Sequence, residues 1–336
     1  MASCRNSSSK IMKTATLSPF AKAVLDGMQK IPKQIPSLYF YDEAGSQLFE
    51  QIMQLPEYYL TNAEKSILQN QSNEILSAWQ GSNHISEKLQ IIELGAGNGE
   101  KTIFLLKSAL SLFPAHQLEF IPIDISQAAL EKLSHTCWQH FPQLSLNPVQ
   151  GDYWEVLEDF SHHAEGTKKL VLFLGSNIGN MTWTESIAFY KKLFSFLKTG
   201  DAVLTGFDLK KDIHLLIPAY NDSSGVTREF NLNLLRRMNR ELGATFALEK
   251  WDHYPIYNPV KGAMESYLIS KEKQTVVFKN LNCDFHFEIA EPILTEVSFK
   301  YSFSQINDLA KNSGFALIEN FTDAKQYFVD SLWVKS

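Results

Sequence analysis

The stretch "LQIIELGAGNGEKT", residues 89–102, is an apolar run that breaks into three alternating glycines. A buried strand turning tightly into a helix is where α/β proteins hold nucleotides, because missing side chains let a ligand reach the backbone. The spacing is G-x-G-x-G. Gly95 and Gly97 are followed by Gly99, and Glu100 stands where the dinucleotide fingerprint needs its third glycine. Glu93 precedes the turn on the strand. Asp124, 29 residues after Gly95, ends the second apolar segment, where its carboxylate can accept both ribose hydroxyls. Asp152, in "QGDYW", ends the third and is placed to meet an adenine amino group. This set suits an adenosyl group with no pyrophosphate to cradle.

The period of the chain around this corner agrees. "LQIIEL", "LEFIPID", "LSLNPVQGD", "KLVLFLG" and "DAVLTGFDL" read as short apolar strands, and "EKTIFLLKSALSLF", "SQAALEKLSHTCWQHF" and "ESIAFYKKLFSFLK" between them read as helices. Alternation with nearly continuous apolar strands predicts an α/β fold with a parallel sheet covered on both faces. At the end, "SFSQINDLAKNSG" is a helix closed by glycine, and "FALIENFTD" and "QYFVDSLWVKS" are two strands joined closely enough to pair antiparallel. Five alternating units, a helix and a terminal hairpin are characteristic of the Rossmann-like sheet of class I S-adenosylmethionine (SAM) methyltransferases.

Two regions fall outside that alternation. Residues 17–75 read mainly as helices, with a serine cap before "PFAKAVLDGMQKI" and the aromatic loops "SLYFYD" and "LPEYYLT" between them. In residues 211–300 "GVTREFNLNLLRRMNREL" reads as a helix, and "WDHYPIYNP", "AMESYLISKEKQTVVFKN" and "CDFHFEI" suggest strands. The expected division is a methyltransferase domain over 62–210 and 301–336, and an α+β substrate-binding domain over 10–61 and 211–300.

Composition narrows the classes. In 336 residues the hydrophobic share is 44%, the charged share 20% and the net charge −6. No long basic run exists, which disfavours a nucleic-acid surface. Cys4, Cys137 and Cys283 are far apart and odd in number, as expected of a reducing compartment. The pair His162–His163 reads as a polar loop, and no cysteine–histidine cluster has zinc-ligand spacing, so no metal is expected. The start lacks the apolar core of a secretion signal, and no run approaches the ~18 apolar residues of a membrane span. A soluble, cytoplasmic monomer acting on a small molecule is the expectation.

After the fourth strand, where methyltransferases of base amines carry a "DPPY"- or "NPPY"-like segment, this chain has "FLGSNIGN". Asn180 there either hydrogen-bonds a small polar substrate or caps the next helix.

In order along the chain come "FYDEAGSQLFEQIMQLPEYYLT", "ELGAGNGEKT", "FIPIDIS", "FLGSNIGN", "GFDLKKD", "AYNDSSGVTREFNLNLLRRMNRELGATF" and "LTEVSFKY". From about residue 20 to the C-terminus the chain resembles the histidine Nα-methyltransferases of ergothioneine biosynthesis. The resemblance implies three SAM-dependent methyl transfers that convert L-histidine to Nα,Nα,Nα-trimethylhistidine (hercynine). It implies that Tyr41, Gly95, Lys101, Asp124, Asp152, Tyr153 and Gly175 line the SAM site. Tyr58, Asn180 and Tyr220 would hold the amino-acid backbone, Tyr58 and Asn180 being the catalytic candidates. Glu296 and Ser298 would read the imidazole.

The last pair also has a direct physical reading. In an extended segment residues i and i+2 point the same way, so Glu296 and Ser298 share a face. One can accept an imidazole N–H while the other serves the second nitrogen. A solvated edge strand is the bland alternative. The chain departs from the family pattern at Leu60, where proline is usual, at Asn98–Gly99, where threonine–serine is common, and at Asn177, where threonine is frequent. Ser266 stands where methionine often lies beside the imidazole, so the side-chain pocket is expected to be larger. The rival readings are a methyltransferase for another amino acid or biogenic amine, and a non-catalytic SAM-binding regulator.

Overall fold

The computed structural model describes residues 17–80, 88–160 and 167–336. The polar start with Cys4, and the His162–His163 pair, lie outside them. The chain divides into two compact units, one made of residues through Tyr59 with Lys211–Ser298, the other of Leu60–Lys210 with Phe299–Ser336.

In chain order, α1 (Pro19–Met28), β1 (Lys33–Gln34), α2 (Glu43–Ile52) and α3 (Tyr59–Gln80) come first. Then follow β2 (Lys88–Leu94), α4 (Thr102–Leu112), β3 (Leu118–Asp124), α5 (Gln127–His140), β4 (Ser145–Leu146), β5 (Val149–Gln150), α6 (Tyr153–Phe160), β6 (Thr167–Phe173), α7 (Trp183–Phe196) and β7 (Ala202–Asp208). The next group is α8 (Ile213–Tyr220), α9 (Val226–Leu242), β8 (Trp251–Asn258), β9 (Ala263–Ser270), β10 (Gln274–Phe278), β11 (Cys283–Phe287) and β12 (Pro292–Phe299). The last are α10 (Phe303–Asn312), β13 (Ala316–Thr322) and β14 (Phe328–Val334).

The larger unit is built on an eight-stranded sheet in the order β13-β14-β7-β6-β2-β3-β4, with β5 also paired to β3. From β4 to β7 the strands run parallel, and β14 enters antiparallel between β7 and β13. This is the α/β sheet with a terminal hairpin that the alternation predicts. Ile92, Ile121, Val171 and Val203 are fully buried at its centre, as strands covered on both faces must be. The third apolar segment differs from the expected strand: it is two dipeptide strands either side of Asn147–Pro148, because proline has no N–H to give to a ladder. Helix ends follow local chemistry. Thr182 and Glu185 form a reciprocal cap on α7, as Ser302 and Gln305 do on α10.

The smaller unit has a four-stranded sheet, β1-β12-β9-β8, and the hairpin β10–β11. Phe230, Leu234, Leu235, Met238 and Leu242 form the buried stripe of α9 and pack with Phe40, Trp251, Leu268 and Phe287. That spacing is the helical period, and the arginines 228, 236, 237 and 240 take the other positions. Ser18 caps α1 through the Ala21 N–H at 3.2 Å. No helix among the described residues is long and apolar enough to cross a membrane.

Candidate functional site

On the larger unit the glycine corner opens from the end of β2. Gly95 N–H and Ala96 N–H both donate to the Ile123 carbonyl, which draws the turn against β3. Gly97 has φ of +54°, and a Cβ built there would meet no atom within 4 Å. Gly99 is needed for the opposite reason: a Cβ would lie 2.8 Å from the Leu133 side chain on α5. The corner is therefore packed on one side and open on the other, and the open side is the floor a nucleoside needs.

Asp124 closes the tip of β3. Its Oδ2 accepts from Gly97 N–H at 2.9 Å and its Oδ1 from Ser126 N–H at 2.8 Å. These bonds hold the carboxylate at the corner and leave acceptor capacity on both oxygens, as ribose hydroxyls require. Gly151 N–H donates to the Asp124 carbonyl at 3.1 Å, which brings the β5 end beside it. There Asp152 Oδ1 accepts from Trp154 N–H at 2.8 Å and starts α6. Tyr153 packs edge-on against Trp154 and Phe189, and burial raises its hydroxyl pKa. An adenosyl group fits this donor set: open backbone, two carboxylates at neighbouring strand ends and an aromatic ring.

Lys101, expected to line this site, forms an ion pair with Glu64 of α3. Glu64 Oε1 also accepts from Gly175 N–H at 2.7 Å, so one carboxylate joins two of the expected residues. Glu93, buried under the turn, accepts from Thr102 Oγ1 at 2.6 Å, and burial pushes its carboxyl up to about 8. Asn180 is exposed in a tight turn, and the helix that follows is capped by Thr182. The capping alternative for Asn180 is thereby set aside.

On the smaller unit, β12 lies between β1 and β9, not at a solvated edge. Ser298 is buried and accepts from the Tyr220 hydroxyl at 2.8 Å. Glu296, two residues earlier, accepts from Ser266 Oγ at 3.3 Å. Thr295 on the opposite face bonds Asn231 Oδ1 of α9 at 2.8 Å and the Ser266 carbonyl at 2.9 Å, which anchors the strand between them. Tyr41 stands in this unit, edge-on to Phe49 and Phe230. Burial, with Glu296 and Tyr220 beside it, pushes its hydroxyl well above the usual tyrosine value. Tyr58 packs edge-on to Phe49, the ring that also meets Tyr41. Tyr220 with Ser298, and Ser266 with Glu296, thus form two hydrogen-bonded pairs along β12, and Tyr41 stands beside Glu296 and Tyr220. Asp222 of "AYND" caps α9, accepting from Val226 N–H at 2.9 Å and Thr227 N–H at 2.7 Å.

Several of these residues had no role in the sequence reading. Glu64 is the clearest. It occupies the stripe Leu60–Ala63–Glu64–Ile67–Leu68 on α3, every member of which is buried. A charge on a helix's apolar face was a legible signal. Asn231 on α9 is a neutral polar side chain buried in the same way. Among the described residues no group of three or more histidines, cysteines, aspartates or glutamates could hold a metal ion.

The profile of a family described as "Histidine-specific methyltransferase, SAM-dependent" matches residues 20–335. A histidine N-alpha-methyltransferase from Mycobacterium tuberculosis (strain CDC 1551 / Oshkosh) is 35% identical over 312 residues, 93% of this chain and 94% of that protein. A second histidine N-alpha-methyltransferase, from Mycolicibacterium smegmatis, is 36% identical over 310 residues, 92% of each chain. Ergothioneine biosynthesis protein 1 of Neurospora crassa is 31% identical over 304 residues, 88% of this chain and 32% of that longer protein.

Proposed function

Because the chain belongs to the histidine-specific, SAM-dependent methyltransferase family, we propose that it methylates the α-amine of L-histidine three times in succession, giving hercynine. It is a SAM-dependent N-methyltransferase; the acceptor, the three-fold outcome and the residue roles are the proposal. Most of the residues assigned to SAM belong to the larger unit and most of those assigned to the amino acid to the smaller one.

The observation that carries this reading is the polar set on β12. Glu296 bonded to Ser266, and Ser298 bonded to Tyr220, are held on an interior strand. A carboxylate and a hydroxyl on one face suit the two nitrogens of an imidazole. Phenylalanine or leucine there would cover the carboxylate and the hydroxyl while offering neither of them a hydrogen bond, which disfavours both side chains.

SAM, when bound, supplies an electrophilic methyl carbon on a sulfonium. The rest falls to the chain. Asp124 takes the ribose hydroxyls, Asp152 and Tyr153 the adenine, and Gly95, Gly97 and Gly175 give backbone without side chains. Tyr41 is assigned to the same ligand by resemblance. Tyr220 and Asn180 fix the histidine carboxylate, and Tyr58 directs the amine. Methyl transfer to nitrogen is an in-line displacement, so positioning and exclusion of water carry most of the rate. The amine must lose its proton before each attack, and no dedicated base is assigned. A nitrogen with three methyl groups has no lone pair, so transfer stops there. Tyrosine faces tolerate the cation that accumulates.

The test is to incubate the pure protein with SAM and L-histidine and follow the product by mass. Three added methyl groups on the α-nitrogen are expected. Product from other amino acids but not histidine would overturn the acceptor assignment, and SAM binding without any transfer would favour a regulator.

A further inference from the structure

Glu64 is a carboxylate only 1% exposed, inside the larger unit and between three segments of it. Its Oε1 accepts from Gly175 N–H at 2.7 Å, in the turn after β6. Its Oε2 takes the ammonium of Lys101, in the turn after β2. The Lys101 ammonium also reaches the second turn, since a Cβ on Gly175 would lie 3.5 Å from Lys101 Nζ. The sheet leaves room for this carboxylate: a Cβ on Gly206 of β7 would lie 2.3 Å from Glu64 Oε1. We propose that Glu64 is a positioning residue of the SAM site, clamping the Lys101 turn and the Gly175 turn in the arrangement that binds SAM. The proposal rests on the reading of these two turns as SAM-binding.

The surrounding charges single out this pair. Lys101 faces Glu64, Glu93 and Asp330. Burial, then the neighbouring Glu64, holds the Asp330 carboxyl far above the usual carboxylate range, and burial pushes Glu93 up to about 8. Burial thus disfavours charge on both carboxyls. Burial works against charge on Lys101, but Glu64 keeps the ammonium above its ordinary value. The Lys101–Glu64 ion pair lies at the centre of the cluster. The side chain of Lys101 is 21% exposed against 1% for Glu64, so the lysine is the more accessible member of the pair.

Glu64→Gln keeps the size and an acceptor for Gly175 N–H but removes the charge from Lys101. The Kd for SAM, measured by calorimetry, should rise about tenfold or more, as expected for loss of a buried charged hydrogen bond. KM for histidine should stay within about twofold. Lys101→Met should weaken SAM binding too, and the double variant should be no weaker than the worse single one, because the two act as a unit. Gly206→Ala removes no polar group but crowds the Glu64 carboxylate and, at 2.9 Å, the Phe328 ring; it should give the same selective rise in Kd, and it decides the matter if Glu64→Gln does not fold. A folded Glu64→Gln or Gly206→Ala protein that binds SAM as wild type does would overturn the proposal. So would an equal rise in SAM Kd and histidine KM. Wild-type protein that fails to bind SAM would instead overturn the reading of the site, and the proposal with it.

Discussion

The Tyr220 hydroxyl donates to Ser298 Oγ at 2.8 Å, joining residues 78 positions apart in the chain. Tyr220 ends α8 and Ser298 lies near the end of β12, so the bond ties a helix terminus to the strand that also carries Glu296. A hydroxyl that has its own donor in place is oriented before substrate arrives, and pre-orientation is what lets a polar pocket discriminate.

Tyr220→Phe and Ser298→Ala are each expected to raise KM for histidine about tenfold, with KM for SAM nearly unchanged. The double variant should fall short of the product of the two effects, because either change breaks the same bond. Independent effects in steady-state kinetics would remove this pair from the acceptor site.

Glu296→Ala should lower kcat/KM for histidine by about a hundredfold or more, since an imidazole N–H then has no carboxylate to meet. It also frees Ser266 Oγ from the bond it makes at 3.3 Å. Histidine turnover that survives this change intact would sink the imidazole readout.

Asp124→Ala removes the acceptor of Gly97 N–H and of Ser126 N–H together. The glycine corner loses its anchor and the ribose its partner. KM for SAM should rise about a hundredfold, with histidine KM much less affected. A proportional rise in both would point to a general loss of structure.

Asp222 supplies an acid-dependent part of the stability. Burial alone would raise its carboxyl, but hydrogen bonds from Ser224, Thr227 and Val226 bring it down to about 2. A folded-state value below the unfolded one contributes stability above about pH 4, and that contribution fades as pH falls towards 2. Asp222→Ala should therefore destabilise by about 1–2 kcal/mol at pH 7 in chemical denaturation. The gap between variant and wild type should close as pH falls from about 4 towards 2. A gap that persists at low pH would mean that the carboxylate charge is not the source.

The strands of the larger unit were readable because a strand buried on both faces must be apolar throughout, and "LQIIEL" or "KLVLFLG" has no other use. Only "LSLNPVQGD" was misjudged in length, where Pro148 interrupts the ladder. The open side of the corner was also readable, since glycine at Gly97 answers to a backbone angle of +54° that side chains disfavour. The hydrogen bonds of the β12 set were not. Glu296 and Ser298 could be put on one face from the two-residue period, but Tyr220 and Ser266 come to them from distant segments.

What the amino-acid sequence determined by itself is the periodic part of this protein: the α/β sheet, the terminal hairpin and the glycine corner. Those features follow from local rules of turn geometry, helix and strand period and capping, each acting over a few residues. What only the tertiary structure decided is which buried polar groups meet, as Glu64 meets Lys101 and Gly175 across 37 and 111 positions of chain. A buried carboxylate must find a partner, but nothing local dictates which; that choice is made when helix α3 packs on the sheet and removes water from all of them at once.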